Sequence, residues 1–138
     1  MIPAAGYSGT PLAKKLGVGP GTRVTTVDAP ENLHALLDPI PDDVVFQSKL
    51  SERADVVLVF VTERARLNKL VAVAGRAVFP AGGVWICWPK RASGVPTDIT
   101  EDVLREVILP TGLVDNKVCA VDATWSGLRF VWRKELRS

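Results

Sequence analysis

The chain predicts an α/β fold: one domain over residues 1–138, built on a mostly parallel sheet that closes with a C-terminal antiparallel hairpin. Three observations carry this. Asp55–Val61 (DVVLVFV), apolar from Val56 onward, and Val84–Trp88 (VWICW), apolar throughout, are runs of strand length. A strand without polar alternation is buried on both faces, as central parallel strands are. Each run leads toward a segment with apolar residues at helical spacing, the alternation that builds parallel sheets. The chain then ends in two alternating segments, Lys117–Asp122 and Leu128–Arg133, joined by Ala123–Gly127, which read as a hairpin.

Taken in order, Gly6–Gly17 reads as a loop and a short helix. Thr10 is placed as its N-cap, Pro11 at the first helical position, Leu12 and Leu16 on one face, and Gly17 at its end. The turn Gly19-Pro20-Gly21 leads into a strand, Arg23–Val27. A helix follows from about Pro30 to Leu37, with Asp28 or Ala29 at its cap and Leu33, Leu36 and Leu37 facing inward. Pro39 and Pro41 stop it. Val44–Ser48 is a short, less apolar strand expected near an edge. After Asp55–Val61, Thr62 or Glu63 opens a helix that carries Leu67, Leu70, Val71, Ala74 and Val78 at helical spacing. Pro89 ends the Val84–Trp88 strand, since proline cannot donate to a ladder. A basic turn (Lys90, Arg91, Ser93, Gly94) leads to a helix over Asp98–Leu109, where Asp98 and Glu101 are spaced like a capping box.

Composition excludes several classes of function. The 138 residues are 47% hydrophobic and 23% charged, the balance of a compact globular domain. A net charge of +2 from scattered cations argues against nucleic acid as a partner. No apolar run nears the roughly 20 residues that span a bilayer. Met1–Gly6 lacks the basic and apolar regions of a signal peptide, so a cytoplasmic location is expected. Cys87 and Cys119 fall in predicted strands without paired spacing, which fits free thiols better than a disulfide or a metal site.

Over roughly Asp55–Arg133, the order strand, helix, strand, helix and terminal hairpin resembles the second half of the class I methyltransferase fold, a Rossmann-like architecture. Across the whole chain, GYSGTPLAKKLG, WPKRASGVPTDITEDVLRE and KVCAVDATWSGLRFVWRKE are similar to segments of a bacterial, largely actinobacterial, family of short proteins known as a domain of unknown function. The resemblance implies a truncated methyltransferase-like sheet and brings no activity with it.

One departure bears on ligands. After their first strand, these methyltransferases carry an acidic residue and a Gly-x-Gly pattern, because glycine lets the backbone approach a ligand closely. Here the stretch is Val27-Asp28-Ala29-Pro30-Glu31. Pro30 also removes an N–H that could hold a ligand, and the span from Leu37 to Asp55 leaves little room for the second and third βα units. S-adenosylmethionine is therefore not an expected ligand, and no cofactor is expected.

In an open α/β sheet, ligands bind outside the carboxyl ends of the strands, which directs attention to the loop after Trp88. Lys90 and Arg91 there suit an anion beside the helix start at Thr97-Asp98, although Asp98, Glu101 and Asp102 oppose it. Asp28 suits a hydroxyl or an amine, with helix capping as its commoner role. Trp125, placed in the hairpin loop, covers the sheet end or offers a stacking face. His34 is the single histidine, and no GxxxxGK[ST], HExxH or CxxC occurs. Two readings follow. One is a non-catalytic methyltransferase-like domain that binds a partner protein or small anionic ligand at the C-terminal edge of the sheet. The alternative is a small enzyme at the Lys90–Asp98 loop, with Lys90 as electrostatic stabiliser or base.

Overall fold

The computed structural model describes residues 9–137; the Gly6–Ser8 start of the predicted N-terminal loop lies outside them. Six strands form one sheet: β1 (Arg23–Val27), β2 (Val45–Gln47), β3 (Val56–Phe60), β4 (Gly83–Pro89), β5 (Leu113–Ala120) and β6 (Trp125–Trp132). Their spatial order is β2-β1-β3-β4-β6-β5. β2, β1, β3 and β4 run parallel, while β6 is antiparallel to both β4 and β5. The hairpin therefore folds back so that its second strand, not its first, joins the parallel set.

Helices cover both faces. Val57, Val59, Val84, Ile86 and Trp88 point to the side of α3 (Arg64–Val78) and α4 (Glu101–Ile108). Val56, Leu58, Phe60, Trp85 and Cys87 point to the side of α1 (Leu12–Lys15) and α2 (Leu33–Leu37). The period-2 alternation of a strand thus splits two uniformly apolar runs between two cores, as their lack of polar residues predicts. β3 is buried along its whole length, and β2, with Val45 exposed, is an edge. The Trp85 indole N–H donates to the Leu16 carbonyl at 2.9 Å, which pins α1 to the sheet.

Several local expectations are corrected. Pro11, not Thr10, holds the N-cap position of α1. The second helix is confined to Leu33–Leu37, because residues Pro30–Asn32 form a turn closed by the Leu33 amide on the Pro30 carbonyl. Asn32 precedes that helix without a side-chain cap, so Asp28 caps nothing there. Thr100 caps α4 through the Val103 amide at 3.2 Å, in place of the predicted Asp98. In the hairpin, Asp122 Oδ1 accepts from the amides of Thr124 and Trp125, both at 2.8 Å. That tight turn brings Trp125 into β6, paired with Pro89, and not into a loop.

Candidate functional site

β1 and β3 are neighbours, yet the chain leaves β1 toward β2 on one side and leaves β3 toward β4 on the other. Adjacent strands whose connections diverge leave a crevice beyond their carboxyl ends, the usual ligand position in open α/β sheets. A cleft of about 460 Å³ lies there, within the range of small-molecule sites. Asp28 stands on it at the end of β1. Phe60 and residues 61–63 contribute the end of β3, Arg66 and Lys69 come from the first turns of α3, and Trp125 from the start of β6.

Each side chain is placed by local structure. Asp28 adopts φ 55°, the left-handed region that a short polar side chain tolerates better than most. It thus makes the turn a glycine would make. Its Oδ2 accepts from Arg66 Nε at 3.3 Å and from Nη2 at 3.2 Å. Arg66 and Lys69 are three positions apart, hence on one helix face. Trp125 is held by the Asp122 turn and by an edge-on contact with Phe60, ring centroids 5.2 Å apart at 90°.

The acids along this edge are mostly committed to the protein itself. Asp28 holds Arg66, Asp98 Oδ1 accepts from the Arg64 amide at 2.7 Å, and Asp122 closes the hairpin. By contrast, Lys69, Lys90 and Arg91 join no ion pair among the described residues. Glu63, the second acid in the cleft, stands at the N-cap of α3 without a side-chain capping bond. On the α1 side, burial pushes the Cys119 thiol up, opposed by the nearby charges of Lys15 and Lys90.

The residues singled out from sequence separate into two groups. Asp28 and Trp125 share the cleft. Arg91 and Thr97 line a second groove of about 520 Å³ beside Trp88. Thr97 Oγ1 donates to the Thr62 carbonyl at 2.6 Å, so with Asp98 it ties the β4–α4 loop to the start of α3. Lys90 donates its backbone N–H to Thr124 at 2.7 Å. Sequence reasoning missed Arg66 and Lys69. Their i, i+3 spacing immediately after a buried strand was the available signal.

No family model matches the chain, and no curated protein does. Solved structures do match its fold. A possible exported protein of Bordetella parapertussis superposes with a TM-score of 0.62 at 11% identity, over 88% of this chain and 65% of that one. TrmN of Thermus thermophilus matches at 0.53 and 13% over 88% and 47%. A SAM-dependent methyltransferase of Aquifex aeolicus matches at 0.58 and 15% over 86% of each. The chain thus spans less than two thirds of the first two proteins. Together these matches show a methyltransferase-like, Rossmann-like α/β fold.

The residues present do not fit S-adenosylmethionine. The turn after β1 carries Pro30, without an N–H, and its acid is engaged by Arg66. Nucleoside-binding sheets of this kind use an acid about 20 residues further on for the ribose hydroxyls. Here β2 ends in Gln47, followed by Ser48 and Lys49, and Gln47 Nε2 is engaged by Thr25 Oγ1 and the Arg53 carbonyl.

Proposed function

We propose that this chain is a methyltransferase-like domain that binds a small anionic ligand, without transferring a methyl group, in the cleft at the carboxyl edge of its sheet. The observation that carries this is Arg66 and Lys69 standing together at the divergence of β1 and β3, on an edge where Asp28, Asp98 and Asp122 are already engaged. The concave shape favours a small molecule over a protein partner. The bonds of Thr97 and Asp98 favour binding over catalysis, because they leave Lys90 without a neighbouring acid–base partner in its loop. The three similar segments support placing the chain among the short, largely actinobacterial proteins. Its two free thiols support a reducing cytoplasm.

Isothermal titration at low ionic strength tests this with pyrophosphate, citrate and S-adenosylmethionine. Saturable binding of a multivalent anion is expected, weakened by Arg66→Gln and by added salt. One-site micromolar binding of S-adenosylmethionine, or no response to any anion, overturns it.

A further inference from the structure

The cleft that holds Arg66 and Lys69 also has an aromatic lining, Phe60 and Trp125. Trp125 has its backbone held by two hydrogen bonds and its ring braced on Phe60. Asp122 Oδ1 holds its amide at 2.8 Å, its carbonyl accepts from Val121 at 2.9 Å, and Phe60, itself buried, meets it edge-on at 5.2 Å. The indole N–H groups of Trp85 and Trp132 donate to the carbonyls of Leu16 and Gly75. That of Trp125 has no such acceptor among the described residues, and its ring is half-buried. A ring set on an anchored backbone, braced on one side by Phe60, partly open and with a free donor suits a flat partner, since less freedom is lost when that partner docks.

We infer, building on the anionic ligand proposed above, that the ligand is a planar ring carrying an oxyanion. The ring lies against Trp125 and the oxyanion reaches Arg66 and Lys69. The shared chemistry is that of an aromatic carboxylate or a nucleoside monophosphate. Asp28 Oδ2 already takes the Nε–H and one Nη2–H of Arg66 and its negative charge repels a second anion there, so the oxyanion binds in competition with Asp28. The competition sets a sign: neutralising Asp28 tightens binding. Asparagine also tolerates the left-handed backbone at this position, so Asp28→Asn retains the fold.

The test follows the Trp125 indole N–H signal in two-dimensional NMR, assigned by its loss in Trp125→Phe, during titration of the whole chain. Four probes separate the terms: 2-naphthoate and adenosine monophosphate carry both groups, 2-naphthalenemethanol only the ring, and inorganic phosphate only the charge. The first two should shift the signal saturably and bind at least about tenfold more tightly than either single-group probe. Their relative affinity distinguishes carboxylate from phosphate. Asp28→Asn should tighten both, and Trp125→Leu, its affinities read by isothermal titration and its other indole signals unchanged, should reduce them to the level of phosphate. If phosphate binds as tightly as the two-group probes, or Trp125→Leu changes nothing, the ring inference falls while anion binding stands. If Asp28→Asn weakens the two-group probes, Asp28 contacts the ligand and the competition is wrong. If no anionic probe binds, both readings fall.

Discussion

Asp98 and Arg64, 34 positions apart, are joined by a 2.7 Å hydrogen bond in which the first amide of α3 donates to the carboxylate of the β4–α4 loop. An acid placed to begin one helix instead caps its neighbour. The benefit is the ordinary one: an amide at a helix start has no partner within the helix, and an anion there meets the positive end of the dipole. The consequence is topological. Together with Thr97 on the Thr62 carbonyl, the bond ties the loop after the central strand to the floor of the cleft.

Asp98→Ala should therefore lower stability by about 0.5–2 kcal/mol, as loss of a helix cap does. Lys90→Ala should change it by less, since the half-buried Lys90 joins no ion pair among the described residues and caps no helix with its side chain. Urea unfolding of the two variants gives the comparison. Equal losses would make Lys90 part of the scaffold.

A second prediction concerns the turn after β1. Asp28→Ala and Asp28→Gly both remove the bond to Arg66, whose partners are half exposed and contribute little. They differ in the backbone: alanine pays the steric cost of φ 55°, about 1 kcal/mol, and glycine does not. The glycine variant should be the more stable of the two by thermal unfolding. The reverse order would mean that the turn relaxes out of the left-handed region.

The third concerns α1, a helix of four residues that would not persist alone. It is held by burial of Ala13, Leu16 and Val18 and by the Trp85 indole on Leu16. Trp85→Phe keeps most of the apolar volume and orphans a buried carbonyl, at a cost of about 1–3 kcal/mol. Amide exchange at Leu16 and Val18, bonded to Leu12 and Ala13, should accelerate more than exchange in β3. Uniform acceleration would show that the indole bond serves the whole sheet.

What was legible in the sequence is what depends on local apolar pattern. Arg23–Val27 is found with its predicted bounds, and the two apolar runs form adjacent central strands. The terminal hairpin was also readable, though not its extent. Leu113 and Val114 pair with Trp132 and Val131, and the Asp122 turn pulls Trp125 into register, neither of which alternation alone reveals. Caps were misassigned for a related reason: Asp98 and Thr100 are both good N-cap residues, and only the proximity of α3 decides between them. The cleft was half visible. Asp28 and Trp125 stand out singly in the sequence, but Asp28 meets Arg66 across 38 positions because β1 and β3 are neighbours, and that adjacency belongs to the sheet order.

The last prediction concerns the two thiols. Cys87 is fully buried between β3 and β6, and burial, with Cys119 and Asp122 nearby, pushes its thiol far above the ordinary value. Cys119 is also raised by burial, less freely because Lys15 and Lys90 favour its thiolate. Unfolding returns both groups to an ordinary pKa of about 8.5. The sign follows directly: below that value both states keep the proton, and these thiols contribute no pH dependence. Above it the unfolded chain ionises first, so stability falls as pH rises, by at most about 1.4 kcal/mol per pH unit for each thiol. Urea unfolding midpoints should therefore decline between pH 8 and 10, and Cys87→Ala should flatten the decline even where it lowers stability throughout. Labelling with a thiol-reactive disulfide at pH 8 should modify Cys119 first and Cys87 only on unfolding. A midpoint flat to pH 10, or rapid labelling of both thiols in the folded protein, would show that Cys87 is reached by solvent.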